Sequence, residues 1–416
     1  MDGASGRPPQ FLWGRLVCGP SEVARNAVLK DFDSSLRIRL PLVLWSTRPI
    51  QAMSLKAPVL STSSPPMAQP RLLAPECVAV AIYHIVSRIV DKRFIFNDEE
   101  KEYFLMLVRR YAILCGVCVL TYCVMGNHFH LLVEVPRRPA VLPTEEELLA
   151  RIEAALGAAA AQALRQQLAR WREENNTAAI AAELERWYAQ MWDLGRFMKM
   201  VKQRFTCWYN QRQPGGRTGT LWESRYRSAL VEDGSALQTM AFYIDLNPVR
   251  AGMVSDPRSY RWCGYAAAIA GVPEARAGLA RLAALSSPAM ATHTEEEKDA
   301  SWAAGILSWY RSALFEKGAE IRDQEGAVIK IGFSEEERDA VRDAQGKLPL
   351  IAYLSHRVRY LTDGAILGSK AFVDSVFKER RKWFSATRQT GARRLKGLAR
   401  DCPLRCARAL SVRPFG

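Results

Sequence analysis

The stretch GNHFHLLVEV, residues 126–135, constrains the fold more than any other part of the chain. Strand side chains alternate between faces, so His128, His130, Leu132 and Glu134 share one face. Phe129, Leu131, Val133 and Val135 form an apolar stripe on the other. This is the pattern of a sheet that covers a core on one side and leaves its other side open. Two of only five histidines thus stand together, within reach of a common ion. Two surface histidines on a half-buried strand fit the same pattern, and the pair alone does not decide between them.

The neighbouring segments supply the rest of a small sheet. CVAVAIYHIVS, from Cys77, reads as a strand. NDEEKEYFLMLVRRYAILCG reads as a helix capped by Asn97 or Asp98, with acids in its first turn where they complement the dipole. VCVLTYCVM is a second strand, followed by a turn at Gly126-Asn127. Strand, helix, strand, tight turn, strand is the first half of a ferredoxin-like unit. From Pro143 to Ala189 an Ala/Glu/Leu/Arg-rich stretch predicts an inserted helical hairpin broken near ENNT. LGRFMKMVKQRFTCWYNQR follows as an amphipathic helix with Phe197, Met200, Val201, Phe205 and Trp208 on its apolar face. A loop, QPGGRTG, leads to a strand, YRSALVE, and a helix, SALQTMAFYIDLNPVRAG. The expected fold is therefore α+β: a ferredoxin-like antiparallel sheet with helices on one face, spanning residues 76–268. Residues 1–75 are Pro/Ser-rich without a sustained period and predict a disordered leader. Residues 269–416 predict a basic, mostly helical region with a turn at Gly364–Gly368 and Ser369 as a helix cap.

Charge narrows the partners. The formal charge of +15 and a pI near 9.5 favour polyanions, nucleic acid first. The longest apolar run, Tyr111–Met125, is too short and too β-branched to span a membrane. Nine cysteines without a regular framework point to a reducing, cytoplasmic setting. Cys115 with Cys118, and Cys402 with Cys406, read as small apolar fillers; four ligands spaced for a closed zinc site are not there.

The last helix of the unit gives the histidines a context. Tyr243 and Asn247 lie four apart, one turn along one helix face. A tyrosine hydroxyl is a nucleophile if its phenolate is stabilised, which a neighbouring metal can do. An Asn carbonyl suits Mg²⁺ or Mn²⁺, and Mn²⁺ tolerates imidazole. Two histidines and this Asn would make a three-ligand site with positions left for phosphate oxygens. Pro248 requires the helix to kink or end at Asn247. Taken alone, Tyr243 reads more readily as a core aromatic and Asn247-Pro248 as a plain helix stop. Between Arg196 and Arg227 eight basic residues face one acid, with Trp208, Tyr209, Trp222 and Tyr226 interleaved. Cations for phosphates and rings for unpaired bases suit single-stranded DNA. Trp208 is expected in the core; Lys202, Arg217, Trp222, Arg225 and Arg227 are the expected DNA contacts. From Lys378 onward twelve Lys/Arg face two acids, which would suit a clamp on nucleic acid or a disordered basic tail.

In their order, YHIVSR, GNHFHLLVEV, GTLWESRYRSALVED and YIDLNPVRAGMV resemble the REP-associated tyrosine transposases. These are single-tyrosine members of the HUH nuclease superfamily, named for a His-hydrophobic-His motif. The resemblance runs from about Val78 to Tyr265 and leaves out the insert. It implies that His128, His130 and Asn247 hold Mg²⁺ or Mn²⁺ and that Tyr243 is the nucleophile. The implied activity is cleavage and joining of single-stranded DNA through a 5′-phosphotyrosine. The implied partner is single-stranded or hairpin DNA from palindromic repeats, with a homodimer allowed. A DNA-binding regulator of the same descent that no longer cuts is the alternative.

Overall fold

A computed structural model describes residues 71–76, 78, 81–286, 300–317, 321–322, 328–330, 364–395 and 403–407. By its contacts the chain divides into Met1–Ser64 and Pro65–Gly416, and the first unit lies wholly outside the described residues. The expected leader is therefore described only at its end, which is packed. Leu72 is buried, and the Ala74 N–H donates to the Tyr83 hydroxyl at 2.7 Å.

The central unit runs β1 (Ala81–Arg88), α1 (Asp98–Cys115), β2 (Cys118–Val124) and β3 (His128–Val135). The insert follows as α2 (Glu145–Leu156), α3 (Ala158–Glu173) and α4 (Thr177–Tyr188). Then come α5 (Leu194–Arg212), β4 (Arg227–Val231), α6 (Ser235–Asp245) and α7 (Asn247–Arg250). The four strands lie in the order β2-β3-β1-β4, all antiparallel, which is the ferredoxin-like arrangement. Of the two caps the sequence allows, Asn97 caps α1, accepting from the Glu99 and Glu100 N–H groups. The insert is three helices rather than a hairpin, because Gly157 at φ 93° breaks the first stretch and Asn176 caps the third helix.

The second face of the sheet is covered, contrary to the sequence expectation of helices on one face. On the first face Phe129 packs on Phe104 of α1 and on Trp222, and Phe205 of α5 completes the cluster. On the other, α6 and two further helices, α8 (Gly264–Ile269) and α9 (Pro273–Ser286), pack against β2 and β3. Arg281 of α9 holds Glu134 by two hydrogen bonds of 2.7 Å. A Cβ on Gly278 would stand 2.3 Å from the Val119 carbonyl, so the close seating of α9 needs glycine there. The reason lies in α6, whose residues Ala236, Leu237, Met240, Phe242 and Ile244 are all buried. A helix apolar all round must have partners on more than one side.

The C-terminal region is helical over most of its described residues, as expected, but it also contributes strands to the sheet. Beyond α10 (Ala300–Lys317) and the short pair β5 (Ile321–Arg322) and β6 (Val328–Lys330), β7 (Ile366–Gly368) pairs parallel to β4. After α11 (Lys370–Glu379), which Ser369 caps through the Phe372 N–H, β8 (Arg393–Arg394) and β9 (Arg405–Ala407) complete a seven-stranded sheet. The turn expected at Gly364–Gly368 is thus a strand, and the domain edge expected at residue 268 is crossed by the sheet itself.

Candidate functional site

Register brings a third histidine into the site. Val86 pairs with both His130 and Arg227, His84 with Leu132, and Arg88 with His128, so His84, Arg88, His128, His130 and Arg227 share the α6 face. The His84 and His130 rings stack with centroids 5.2 Å apart, and His84 Nε2 lies 2.9 Å from His130 Nδ1. His128 and His130 stand edge to face at 5.1 Å. Tyr243 of α6 closes the group, edge-on to His130 at 5.7 Å and to His84 at 6.0 Å.

Hydrogen bonding sets the histidine tautomers. Asn127 Nδ2 donates to the Lys92 carbonyl, which fixes the amide and aims Oδ1 at His128 Nδ1, 2.6 Å away. An amide oxygen only accepts, so His128 Nδ1 carries the proton and Nε2 keeps its lone pair. If His130 Nδ1 donates to His84 in the same way, its Nε2 is likewise open. Burial lowers the His128 pKa to about 4, helped by Arg88, and holds His130 well below the usual imidazole value, helped by His84 and His128. Both rings are neutral at pH 7. Neutral imidazoles whose far nitrogen is anchored are the form that binds metals.

The α6–α7 junction shapes the third expected ligand. The helix is interrupted at Leu246 and resumes at Asn247. Pro248 has no N–H for the Ile244 carbonyl four residues back. Asn247 Nδ2 replaces it, donating to the carbonyls of Ile244 (3.2 Å) and Tyr243 (3.0 Å). The amide is thereby turned so that Oδ1 is its remaining acceptor. Imidazole Nε2 atoms and an amide oxygen are donor types that suit a divalent cation, Mn²⁺ more than Mg²⁺, although among the described residues no group of three or more His, Cys, Asp or Glu stands together to hold a metal.

Arg250, which sequence reasoning did not single out, sits at the same junction. Its guanidinium lies 4.7 Å from the centre of the Tyr243 ring, and Nη1 donates to the Tyr243 carbonyl at 3.0 Å. Nη2 is sealed from solvent without any hydrogen-bond partner. Burial pulls its pKa down to about 10, so the side chain remains a cation at neutral pH. An unpaired buried cation of this kind is costly unless something anionic joins it.

The expected DNA contacts separate. Lys202 donates to Ser87, which shares the Phe129 face, and its ammonium lies 4.7 Å over Trp222. With Arg71, Arg196, Lys199 and Arg225 it lines a cavity of about 710 Å³ on the sheet face opposite Tyr243. Burial and Arg71 lower the Lys202 pKa to about 7. Arg227 stays on the Tyr243 face. Arg217 is turned onto its own loop, bonded to Asn210 Oδ1 and the Thr220 carbonyl. Trp222 corrects the expectation of a base-stacking ring: it is only 7% exposed, packs on Phe96, Phe104 and Phe129, and donates its indole N–H to Thr206. Trp208, expected in the core, is instead half-buried and stacked on Tyr103 at 4.0 Å.

Among known families, residues 77–144 match the model described as "Transposase IS200 like". That stretch carries His84, His128 and His130 and ends before Tyr243 and Asn247. A solved structure titled as a REP-associated tyrosine transposase bound to a REP hairpin is similar over 46% of this chain and 80% of its own, at 10% identity and a TM-score of 0.29. No curated protein matches the chain. Among the described residues no helix is long and apolar enough to cross a membrane.

Proposed function

We propose that this chain, an IS200-like transposase by its residues 77–144, cleaves and rejoins single-stranded DNA at hairpin-forming repeats with Tyr243 as the nucleophile. The observation that carries this reading is the packing of Tyr243 against the His84–His130 stack, with Arg250 over its ring. His128 and His130, through Nε2, and Asn247, through Oδ1, would hold the cation. Mg²⁺ or Mn²⁺ bound there supplies charge neutralisation and polarisation of the scissile phosphate.

The protein groups then have distinct tasks. Tyr243 Oη forms a bond to phosphorus as the bond from phosphorus to the 3′ oxygen breaks. The phenol loses a proton and the departing oxygen gains one, leaving a 5′-phosphotyrosine and a free 3′-hydroxyl. Attack by a 3′-hydroxyl of the same or another strand reverses the step and joins DNA, so no nucleotide cofactor is consumed. Arg250 Nη2 would hold a phosphate oxygen, and Arg88 and Arg227, on the same face, would contact the strand nearby. Lys202, Arg225 and their cavity neighbours would hold the backbone elsewhere on the hairpin. Burial of Tyr243, 2% exposed, means the end of α6 must move for DNA to reach the hydroxyl. The break before Pro248 is the natural hinge.

That same burial is what favours the second reading, a regulator that binds DNA without cutting it. One experiment separates them. Hairpin oligonucleotides with Mn²⁺ should give a covalent adduct on the wild type, mapped to Tyr243 by mass spectrometry. Tyr243→Phe should bind the hairpin unchanged and give neither an adduct nor a new 3′ end. An adduct on another tyrosine would remove Tyr243 from the mechanism, and binding without any adduct would favour the regulator.

A further inference from the structure

With Trp222 committed to the core, a ring that could stack an unpaired base must be sought elsewhere. Phe94 is 84% exposed, in the loop between β1 and α1, with Lys92 and Arg93 exposed beside it. Scattered surface apolar residues are ordinary. Three features set this one apart.

The loop is strained and fastened at the same time. Asp91 and Lys92 hold left-handed backbone conformations at φ 56° and 54°, unfavourable for residues with a Cβ and usually retained where function requires them. The Ile89 N–H bonds to the Asn127 carbonyl at 2.9 Å, Val90 to Leu221 at 2.9 Å, and Phe96 to Gly126 at 3.0 Å. The ring itself lies on the β2–β3 turn. A Cβ on Gly126 would stand 2.7 Å from Phe94 Cδ1, so glycine is what lets the ring settle there.

The third feature is the link to the centre described above. Asn127 binds the Lys92 carbonyl with one end of its amide and His128 with the other. The loop carrying Phe94 and a candidate metal ligand are thus positioned by one side chain. An exposed ring on a rigid support, flanked by cations, is the arrangement that binds single-stranded nucleic acid by stacking and charge.

We propose that Phe94 is the platform on which an unpaired nucleobase of single-stranded DNA stacks beside the His128–His130–Tyr243 centre. This rests on the DNA-binding half of the reading above and not on its cleavage step. Stacking would set which side of the unpaired strand faces His128, and it is tolerant of base identity.

The test uses the full chain and hairpins carrying 2-aminopurine at successive unpaired positions next to the stem. Wild type should quench the emission at one position, Phe94→Ala should restore it, and Phe94→Trp should retain the quenching. Affinity of the Ala variant should fall roughly tenfold to a hundredfold for the flanked hairpin and not for a blunt one. Because the ring is exposed, the thermal midpoint should not move. Equal emission in wild type and Phe94→Ala at every position overturns the proposal, as does equal weakening for the blunt hairpin. Loss of quenching in Phe94→Ala together with no Tyr243 adduct in wild type would sink the cleavage reading and leave the base platform standing. Failure of wild type to bind either DNA overturns both.

Discussion

Arg250 ends in two nitrogens with unequal fates, and the difference is informative. Nη1 donates to the Tyr243 carbonyl, which Asn247 Nδ2 also reaches; Nη2 has no hydrogen-bond partner. A purely structural arginine would have no reason to bury a second unpaired donor beside a candidate nucleophile. Arg250→Ala should slow adduct formation by about 10²- to 10³-fold, the usual effect of losing one aimed donor. A neutral methylphosphonate at the scissile position supplies the control. If Nη2 meets the phosphate charge, wild type and variant should cleave this analogue at similar rates. An equally large gap on the charged and the neutral DNA would make Arg250 a helix cap and nothing more. The sequence shows His128 and His130 together because a two-residue period needs no partner strand. His84 lies 46 residues from His130 and joins it only through strand register, which no local pattern encodes. Arg250 is hidden for a similar reason, since its neighbours depend on how a helix continues past proline.

At the scale of the element, α6 carries the candidate nucleophile on one side and a buried carboxylate on another. Asp245 accepts from Thr121 Oγ1 at 2.9 Å, from the Tyr265 N–H at 3.3 Å and from the Tyr310 hydroxyl at 2.5 Å. It thereby ties α6 to β2, α8 and α10. Burial raises its pKa to about 7, above the unfolded value near 4. The folded state thus holds a proton that the unfolded chain releases. The associated stability is complete below about pH 4 and lost as pH rises through about 7. Asp245→Asn lacks this titration. The stability of wild type relative to the Asn variant, from denaturant midpoints, should therefore decline between pH 4 and pH 8. A constant difference would show that Asp245 titrates alike folded and unfolded. The β1-α1-β2-β3 run is legible because its strands are short and alternating and its helix carries a cap and a clear period. The covering of the second face is less so, since α8 and α9 are Ala-rich and their depth depends on glycine contacts such as Gly278 with Val119.

For the whole molecule, the central result is that residues far apart in the chain complete one sheet. β4 has β1 on one edge and β7 on the other, and β7 is held in turn by β9. Removing residues 364–416 should uncover the β4 edge, including Leu230 and Val231, and take away the buried side chains of Ile366, Leu367, Val373 and Phe377. Lower thermal stability and concentration-dependent aggregation are expected, read by calorimetry and light scattering. An unchanged midpoint and a monodisperse product would mean the four-stranded unit is self-sufficient. The same topology sets a timetable. β4 ends at Val231 and β7 begins at Ile366, so a ribosome adding about 5–20 residues per second needs roughly seven to twenty-seven seconds between them. For most of that interval the nascent chain already contains Tyr243 and all three site histidines, while one side of its sheet still awaits its neighbour. The chain's most dangerous moment for misassembly is therefore during its own synthesis, and the last strands to be made are those that end it.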